Sequence, residues 1–302
     1  ADDHKVFGII RENLLEMKRK FGDKRRTQII QQMQDFTNED LIAEEDIVIT
    51  ITHSGYVKRQ PIDTYRSQKR GGRGIQGAGT KEEDFVEHLF TSTTHHHVLF
   101  FTSRGRDFVL KGYELPEASR TARGTAIINL LSLQPDEKVT TVIPVREFVE
   151  GAFLFMGTRN GIVKKTNLME FDSVRKNGLI AIGLDDDDDL IGVKLTDGCQ
   201  TIILGTRDGM AITFSEEDVR PVGRSARGVK GINLQEMDAI VGMEVMTPNS
   251  QVLVVSEQGF GKRTAVDQYR QQTRGGKGLI NLKVTEKTGA VVGLRVVKPE
   301  QD

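Results

Sequence analysis

The amino-acid sequence predicts an all-β, propeller-like fold of four-stranded blades, and three observations carry the prediction. First, a β-rich apolar run reaches Thr or Ser and turns at a glycine five times: "ITITHSGYVKR" (49–59), "LFFTSRGRDFVLK" (99–111), "LFMGTRNGIVKK" (154–165), "IILGTRDGMAI" (202–212) and "VLVVSEQGFGKR" (252–263). Second, the turn glycines Gly55, Gly105, Gly161, Gly209 and Gly259 are 50, 56, 48 and 50 residues apart, a propeller-blade period and a poor match to helical solenoids. Third, every unit continues in one order: a basic loop, a Gly-led apolar segment such as "GLINLKV" (278–284), an acidic turn, and a last strand such as "AIVGMEV" (239–245) or "AVVGLRV" (290–296). Four short strands per unit follow, one sheet per unit, stacked radially so that no long edge is left open.

Taken in chain order, residues 1–22 come first. Phe7, Ile10, Leu14, Met17 and Phe21 form a heptad seam, with Gly22 as the stop signal. Two heptads are marginal alone, so this reads as the end of a longer coiled-coil helix, in keeping with a chain that begins at Ala1 and points to a fragment or processed product. Residues 23–45 are polar and serve as a linker. The propeller spans 46–302 in repeats of about 46–95, 96–150, 151–199, 200–249 and 250–302. The dipeptides Asn160-Gly161 and Asp208-Gly209 predict type I′ hairpins.

Composition narrows the classes. With 37% hydrophobic residues in 302 and no apolar run near the roughly 20 needed to cross a bilayer, the chain reads as soluble, with no membrane partner. No signal peptide is visible, and the single cysteine, Cys199 beside "TIILGT", excludes a disulfide framework; it reads as a small core residue, and the expected compartment is the cytoplasm. His95 to His97 do not suit a metal, because adjacent strand residues face opposite ways, and Asp185 to Asp189 lack the spacing of a calcium loop. No metal site, cofactor or catalytic residue is therefore expected. Tyr56, Tyr65, Tyr113 and Tyr269 read as packing residues.

Net charge is −1, yet cations are concentrated. Counted from each turn glycine, equivalent loops read "QKRGGRG" (68–74), "ASRTARG" (118–124), "DSVRKNG" (172–178), "VGRSARG" (222–228) and "QTRGGKG" (272–278), with eleven cations and one carboxylate, Asp172. Carboxylates collect instead before each last strand, at Glu82 to Asp84, Asp136 and Glu137, Asp185 to Asp189, Glu236 and Asp238, and Glu286. This predicts a basic belt and a separate acidic edge. Arg and Lys neutralise phosphates, glycines let backbone approach a phosphodiester, and nothing in the loops is built to read bases, so sequence-independent DNA binding is the function the belt suits. Solvated loops that only maintain solubility are the competing reading, and five in-register copies weigh against it.

"QKRGGRG" resembles the seven-residue box Q-R-R-G-G-K-G that marks the C-terminal domain of the bacterial DNA gyrase A subunit; Lys69 and Arg73 depart from it and keep the charge. "EEDIVITITHSGYVKR", "ELPEASRTARG" (114–124), "GTRNGIVKK" (157–165), "GKRTAVDQY" (261–269) and "FGDKRRTQI" (21–29) extend the resemblance over essentially the whole chain. The resemblance implies a β-pinwheel, a ring of swapped blades that wraps double-stranded DNA so that gyrase introduces negative supercoils. It implies the rest of the gyrase A subunit and the gyrase B subunit as partners, and a cytoplasmic, nucleoid-associated setting. It also implies no catalytic tyrosine or nucleotide site in this part. As an isolated domain the chain is expected to be a monomer. Carried over residue by residue, DNA contacts fall on Gln68, Lys69, Arg70, Gly71, Gly72, Arg73 and Gly74. The equivalent loops add Arg120, Arg123, Arg175, Lys176, Arg224, Arg227, Arg274, Gly275, Gly276 and Lys277. Five turn motifs appear where that family usually has six blades, and residues 286–302 are a candidate strand for an incomplete ring. Alternatives are the C-terminal domain of a topoisomerase IV-type A subunit, a propeller scaffold binding acidic proteins, and a propeller enzyme, the last disfavoured because no His/Asp/Glu set recurs.

Overall fold

Each repeat opens with a hairpin whose turn residues explain why it recurs. The structure, a computed structural model, describes residues 3–23, 38–64, 84–172 and 177–298. Two compact units divide between Leu41 and Ile42. The first holds α1 (Asp3–Phe21), whose seam of Phe7, Ile10, Leu14, Met17 and Phe21 is exposed along its length. It stops where Gly22 N donates to Lys18 O at 2.9 Å.

The second unit is all β. Its first repeat gives β1 (Asp46–Thr52), β2 (Tyr56–Pro61) and β3 (Val86–Thr93). The second gives β4 (His97–Thr102), β5 (Arg106–Lys111), β6 (Thr125–Ala126) and β7 (Val139–Val145), and the third β8 (Phe153–Thr158), β9 (Ile162–Asn167), β10 (Leu179–Ile180) and β11 (Leu190–Thr196). The fourth gives β12 (Thr201–Thr206), β13 (Met210–Ser215), β14 (Val229–Lys230) and β15 (Ile240–Met246), and the fifth β16 (Gln251–Ser256), β17 (Gly261–Ala265), β18 (Leu279–Ile280) and β19 (Val291–Val297).

The hairpins are not type I′. Three residues lie between β8 and β9, Gly161 alone has positive φ (83°), and its N–H donates to Thr158 O at 3.1 Å. That is a type I turn closed by a left-handed glycine, which a three-residue loop favours over the two-residue primed turn that an Asn-Gly pair suggests. The terminal Thr of the first strand completes it: Thr52, Thr102, Thr158 and Thr206 each accept, through Oγ1, the N–H four residues on, at 3.1–3.3 Å.

Sheet membership corrects the expectation of one sheet per repeat. From one edge to the other the sheets run β3-β1-β2-β6, β7-β4-β5-β10, β11-β8-β9-β14, β15-β12-β13-β18 and β19-β16-β17. The Gly-led segments of repeats two to five each cross to the preceding sheet, with registers Val57↔Thr125, Asp107↔Leu179, Val163↔Val229 and Ala211↔Leu279. This is the blade swap of a pinwheel. The fifth sheet has three strands among the described residues. Within 286–302, β19 is that sheet's own last strand, paired Val252↔Val296, and so is not a strand lent elsewhere in a ring.

Burial follows from this stacking. In β4, Val98 and Phe100 pack with Ile47, Val57 and Phe108, while Leu99 and Phe101 pack with Leu154, Met156 and Phe171. Alternate residues thus fill two different inter-blade cores, and a strand buried on both faces reads as an unbroken apolar run. The same division places Ile202 and Leu204 in one core and Ile203 in the next. Each such side chain contributes about 1.5–3 kcal/mol on burial. Residues of β3, β7, β11, β15 and β19 line a central cleft of about 490 Å³, so these strands are innermost and the swapped strands outermost.

Two further expectations are overturned. Cys199 is exposed, not in the core, because it lies in the turn before β12, where Cys199 Sγ sits 3.2 Å from Asp197 Oδ1. That hydrogen bond pushes the thiol pKa up, away from an activated thiolate. His95 and His96 are turn residues rather than strand neighbours; His95 Nε2 contacts Ile42 O at 2.8 Å and His96 Nδ1 contacts Ser92 Oγ at 3.3 Å.

Candidate nucleic-acid interface

Among the described residues, the basic loops at 118–124, 222–228 and 272–278 lie at the perimeter because each leads directly into the outermost strand of a sheet. Their terminal glycines fix this seat. Gly124 and Gly228 have φ of 92° and 100°, and a Cβ on either would stand 2.5 Å from Val57 O or Val163 O. Only glycine combines that conformation with so close an approach to the neighbouring blade's backbone.

Residues Gln68 to Gly74 of the box lie outside the described residues, as do Tyr65, Arg175 and Lys176. The structure brings the remaining predicted residues onto three equivalent perimeter loops. In the first, Arg123 stacks its guanidinium 3.6 Å from the Tyr56 ring centre, and Arg120 is half-buried with no side-chain partner among the described residues. In the second, Arg224 N donates to Glu170 Oε2 at 3.3 Å and Arg227 meets Asp185 Oδ1 at 2.5 Å. In the third, Arg274 donates to Asp218 O at 3.0 Å and Lys230 O at 3.2 Å, which spends much of its donor fork on the fold. Lys277 is exposed, and an open cleft of about 580 Å³ runs beside Arg270 to Gly276.

Belt and acidic edge are therefore less segregated than predicted, since Asp185 and Glu170 reach the rim loop of the fourth repeat. The acids before the last strands are also more than solvated turns. Asp84, Asp188 and Asp238 each accept a backbone N–H in the hairpin turn of their own blade, from Ser54, Asn160 and Asp208, at 2.9, 2.9 and 3.0 Å. Glu137 instead takes Thr102 Oγ1 at 2.5 Å and Arg106 Nε at 2.9 Å. Burial pushes the Asp84 and Glu137 carboxyls up, and these hydrogen bonds outweigh it, leaving both below their ordinary values.

Residue types alone did not reveal two features. Arg220 and Arg270 are exposed cations eight residues before the loop-ending glycines, a repeated spacing that could have found them. Lys58 and Lys164 hide inside the strand motifs "GYVKR" and "GIVKK", yet are buried beneath the rim loops. Burial lowers both; Lys164 falls to about 8, against a raising effect of Glu170 and with a smaller lowering one from Arg224.

Five blades, each of the first four completed by a strand from the next repeat and three of them bearing a described arginine loop on the outer edge, define a strand-swapped β-propeller with cationic loops on its perimeter. The family described as "DNA gyrase C-terminal domain, beta-propeller" matches residues 46–93, 96–146, 152–197, 200–245 and 250–298, one segment per blade. The DNA gyrase A subunit of Clostridium acetobutylicum is 56% identical over 99% of this chain and 36% of its own length. Its counterpart in Staphylococcus epidermidis is 49% identical over 100% of this chain and 34% of its own. Among solved structures, the C-terminal domain of DNA topoisomerase IV superposes with a TM-score of 0.74 at 31% identity, covering 85% of this chain and 79% of that one. A DNA gyrase A C-terminal domain gives 0.67 at 26%, covering 84% and 83%. The chain belongs to the C-terminal domain family of the DNA gyrase A subunit, and it spans about a third of the length of the curated relatives it matches.

Proposed function

We propose that this chain binds and bends double-stranded DNA around its perimeter without reading sequence, acting as the wrapping module with which gyrase introduces negative supercoils. The observation that carries the proposal is the swap: it places one cation-rich, glycine-ended loop on the outermost strand of successive blades. Loops spaced around a rim contact phosphates at intervals along a curved duplex, and the specificity comes from bendability. The proposed contacts are Arg120, Arg123, Arg224, Arg227, Arg274, Gly275, Gly276 and Lys277, joined by the box residues 68–74 and by Arg175 and Lys176.

The rest of the gyrase A subunit and the gyrase B subunit are the proposed partners, in the cytoplasm at the nucleoid. Cleavage and ATP hydrolysis are assigned to those parts, and no cofactor or metal is assigned to this one. Binding to a blunt-ended duplex, titrated with salt, tests the reading. A contact with 6–10 phosphates loses roughly 10³–10⁵ in affinity between 50 and 200 mM salt. No binding to duplex at low salt would overturn the reading and favour an acidic-protein scaffold instead.

A further inference from the structure

We infer that Lys58 and Lys164 are positioning residues that turn the rim loops of the next repeat toward DNA, an inference that rests on the DNA-binding reading above. Lys58 is 1% exposed, and its ammonium donates to three carbonyls of a single loop: Ser119 O at 3.3 Å, Arg120 O at 2.6 Å and Ala122 O at 3.0 Å. All three of its protons are thereby used. Lys164 is 0% exposed and donates to Arg224 O and, at 2.6 Å, to Ala181 O. Arg120 and Arg224 hold the same place in their loops, so both lysines grip the same backbone carbonyl.

The chemistry of that grip is directional. A buried ammonium draws the loop's carbonyls inward, and in a trans peptide the N–H points opposite to the C=O. The loop then presents peptide N–H groups on its outer side, an arrangement of donors that receives an anion, with Arg227 exposed beside them in the second loop. Burying a charge without such partners would be strongly unfavourable, so lysine at these positions is tied to the loop it holds.

Internal comparison supports the pairing. Three residues after the turn glycine the five repeats carry Lys58, Phe108, Lys164, Ile212 and Lys262. The loops packed on Lys58 and Lys164 read R-T-A-R-G and R-S-A-R-G; those packed on Phe108 and Ile212 lack that sequence. Where the residue is Phe108, its ring instead occupies the space beside Gly178, 2.7 Å from where a Cβ would stand. Of the three lysines, the two that are buried under a described loop, Lys58 and Lys164, both sit beneath a paired-arginine loop, whereas Lys262 is exposed.

The test uses the 302-residue chain, with K58M and K164M measured beside R120A/R123A and R224A/R227A. K58M leaves the carbonyls of Ser119, Arg120 and Ala122 without their donor, so a lowered melting temperature is expected, and affinities are compared at a temperature at which circular dichroism shows every variant folded. The slope of log affinity against log salt should fall by about 2 for K58M, as for loss of both arginines. K58M should add nothing in the R120A/R123A background. A parent-like salt slope, or losses that add in that background, would overturn the inference while leaving DNA binding intact. A parent that fails to bind at low salt overturns the DNA reading and this one with it. If K58M does not fold, K58Q, which keeps a donor, carries the same comparison, as does K164M on the other loop.

Discussion

At the residue scale, two aspartates show opposite electrostatics. Asp84 is held below its ordinary value of 3.8 by N–H and hydroxyl donors of the hairpin turn, so it stabilises the fold above that pH and the contribution is lost as pH falls through the folded value. Replacing it by Asn should lower the melting temperature at neutral pH, with the difference closing in acid. Asp107 is the reverse case. Burial pushes its carboxyl well above 3.8, with only partial relief from Arg224 and the Phe108 N–H. The folded state keeps a proton that the unfolded state releases, so stability declines as pH rises from that value. Repeats one and three place Val57 and Val163 there, and the fourth Ala211. D107V should therefore raise neutral-pH stability by about 1–3 kcal/mol, the cost of a poorly satisfied buried polar group. Calorimetry across pH should show the gain shrinking toward acid.

At the element scale, the hairpin and the rim loop are separable units. G228A combines a positive φ with a 2.5 Å approach to Val163 O, and denaturant titration should show a loss of about 1–3 kcal/mol. The cations of the box are expected to behave otherwise. Replacing Lys69, Arg70 and Arg73 together by alanine should change stability by less than about 0.5 kcal/mol per site while weakening DNA bending in a circularisation assay. If bending is unchanged, the loop at 272–278, with Lys277 exposed, becomes the principal contact. These elements were legible because their signals are local: the Thr, the turn glycine, the loop-ending glycine. The turn type was not, since Asn-Gly suits two geometries and only the three-residue spacing separates them. Cys199 misled because an apolar run adjoins it, yet β12 begins at Thr201.

At the scale of the whole molecule, the repeat disclosed five blades, while the burial of their first strands on both faces emerged only from the packing of neighbouring blades. The swap was not readable from the repeat alone. A two-residue strand such as Val229–Lys230 carries no pattern that says which neighbouring blade it joins, and the backbone seat of Gly228 decides it. Lys58 and Lys164 were invisible for the same reason: the rim-loop carbonyls they hold lie 60 to 64 residues away in another repeat. The perimeter placement of the loops, on which the function turns, is thus a property of the assembled ring rather than of any one segment.

The most direct test is topological. A nicked plasmid is bound by the chain at low salt, sealed by ligase and stripped of protein, and its topoisomers are resolved beside a protein-free control. Wrapping around a chiral perimeter predicts a ladder displaced toward one sign of linking difference, with a displacement that grows with protein and vanishes as salt rises. A topoisomer distribution identical to the control at low salt would contradict the account.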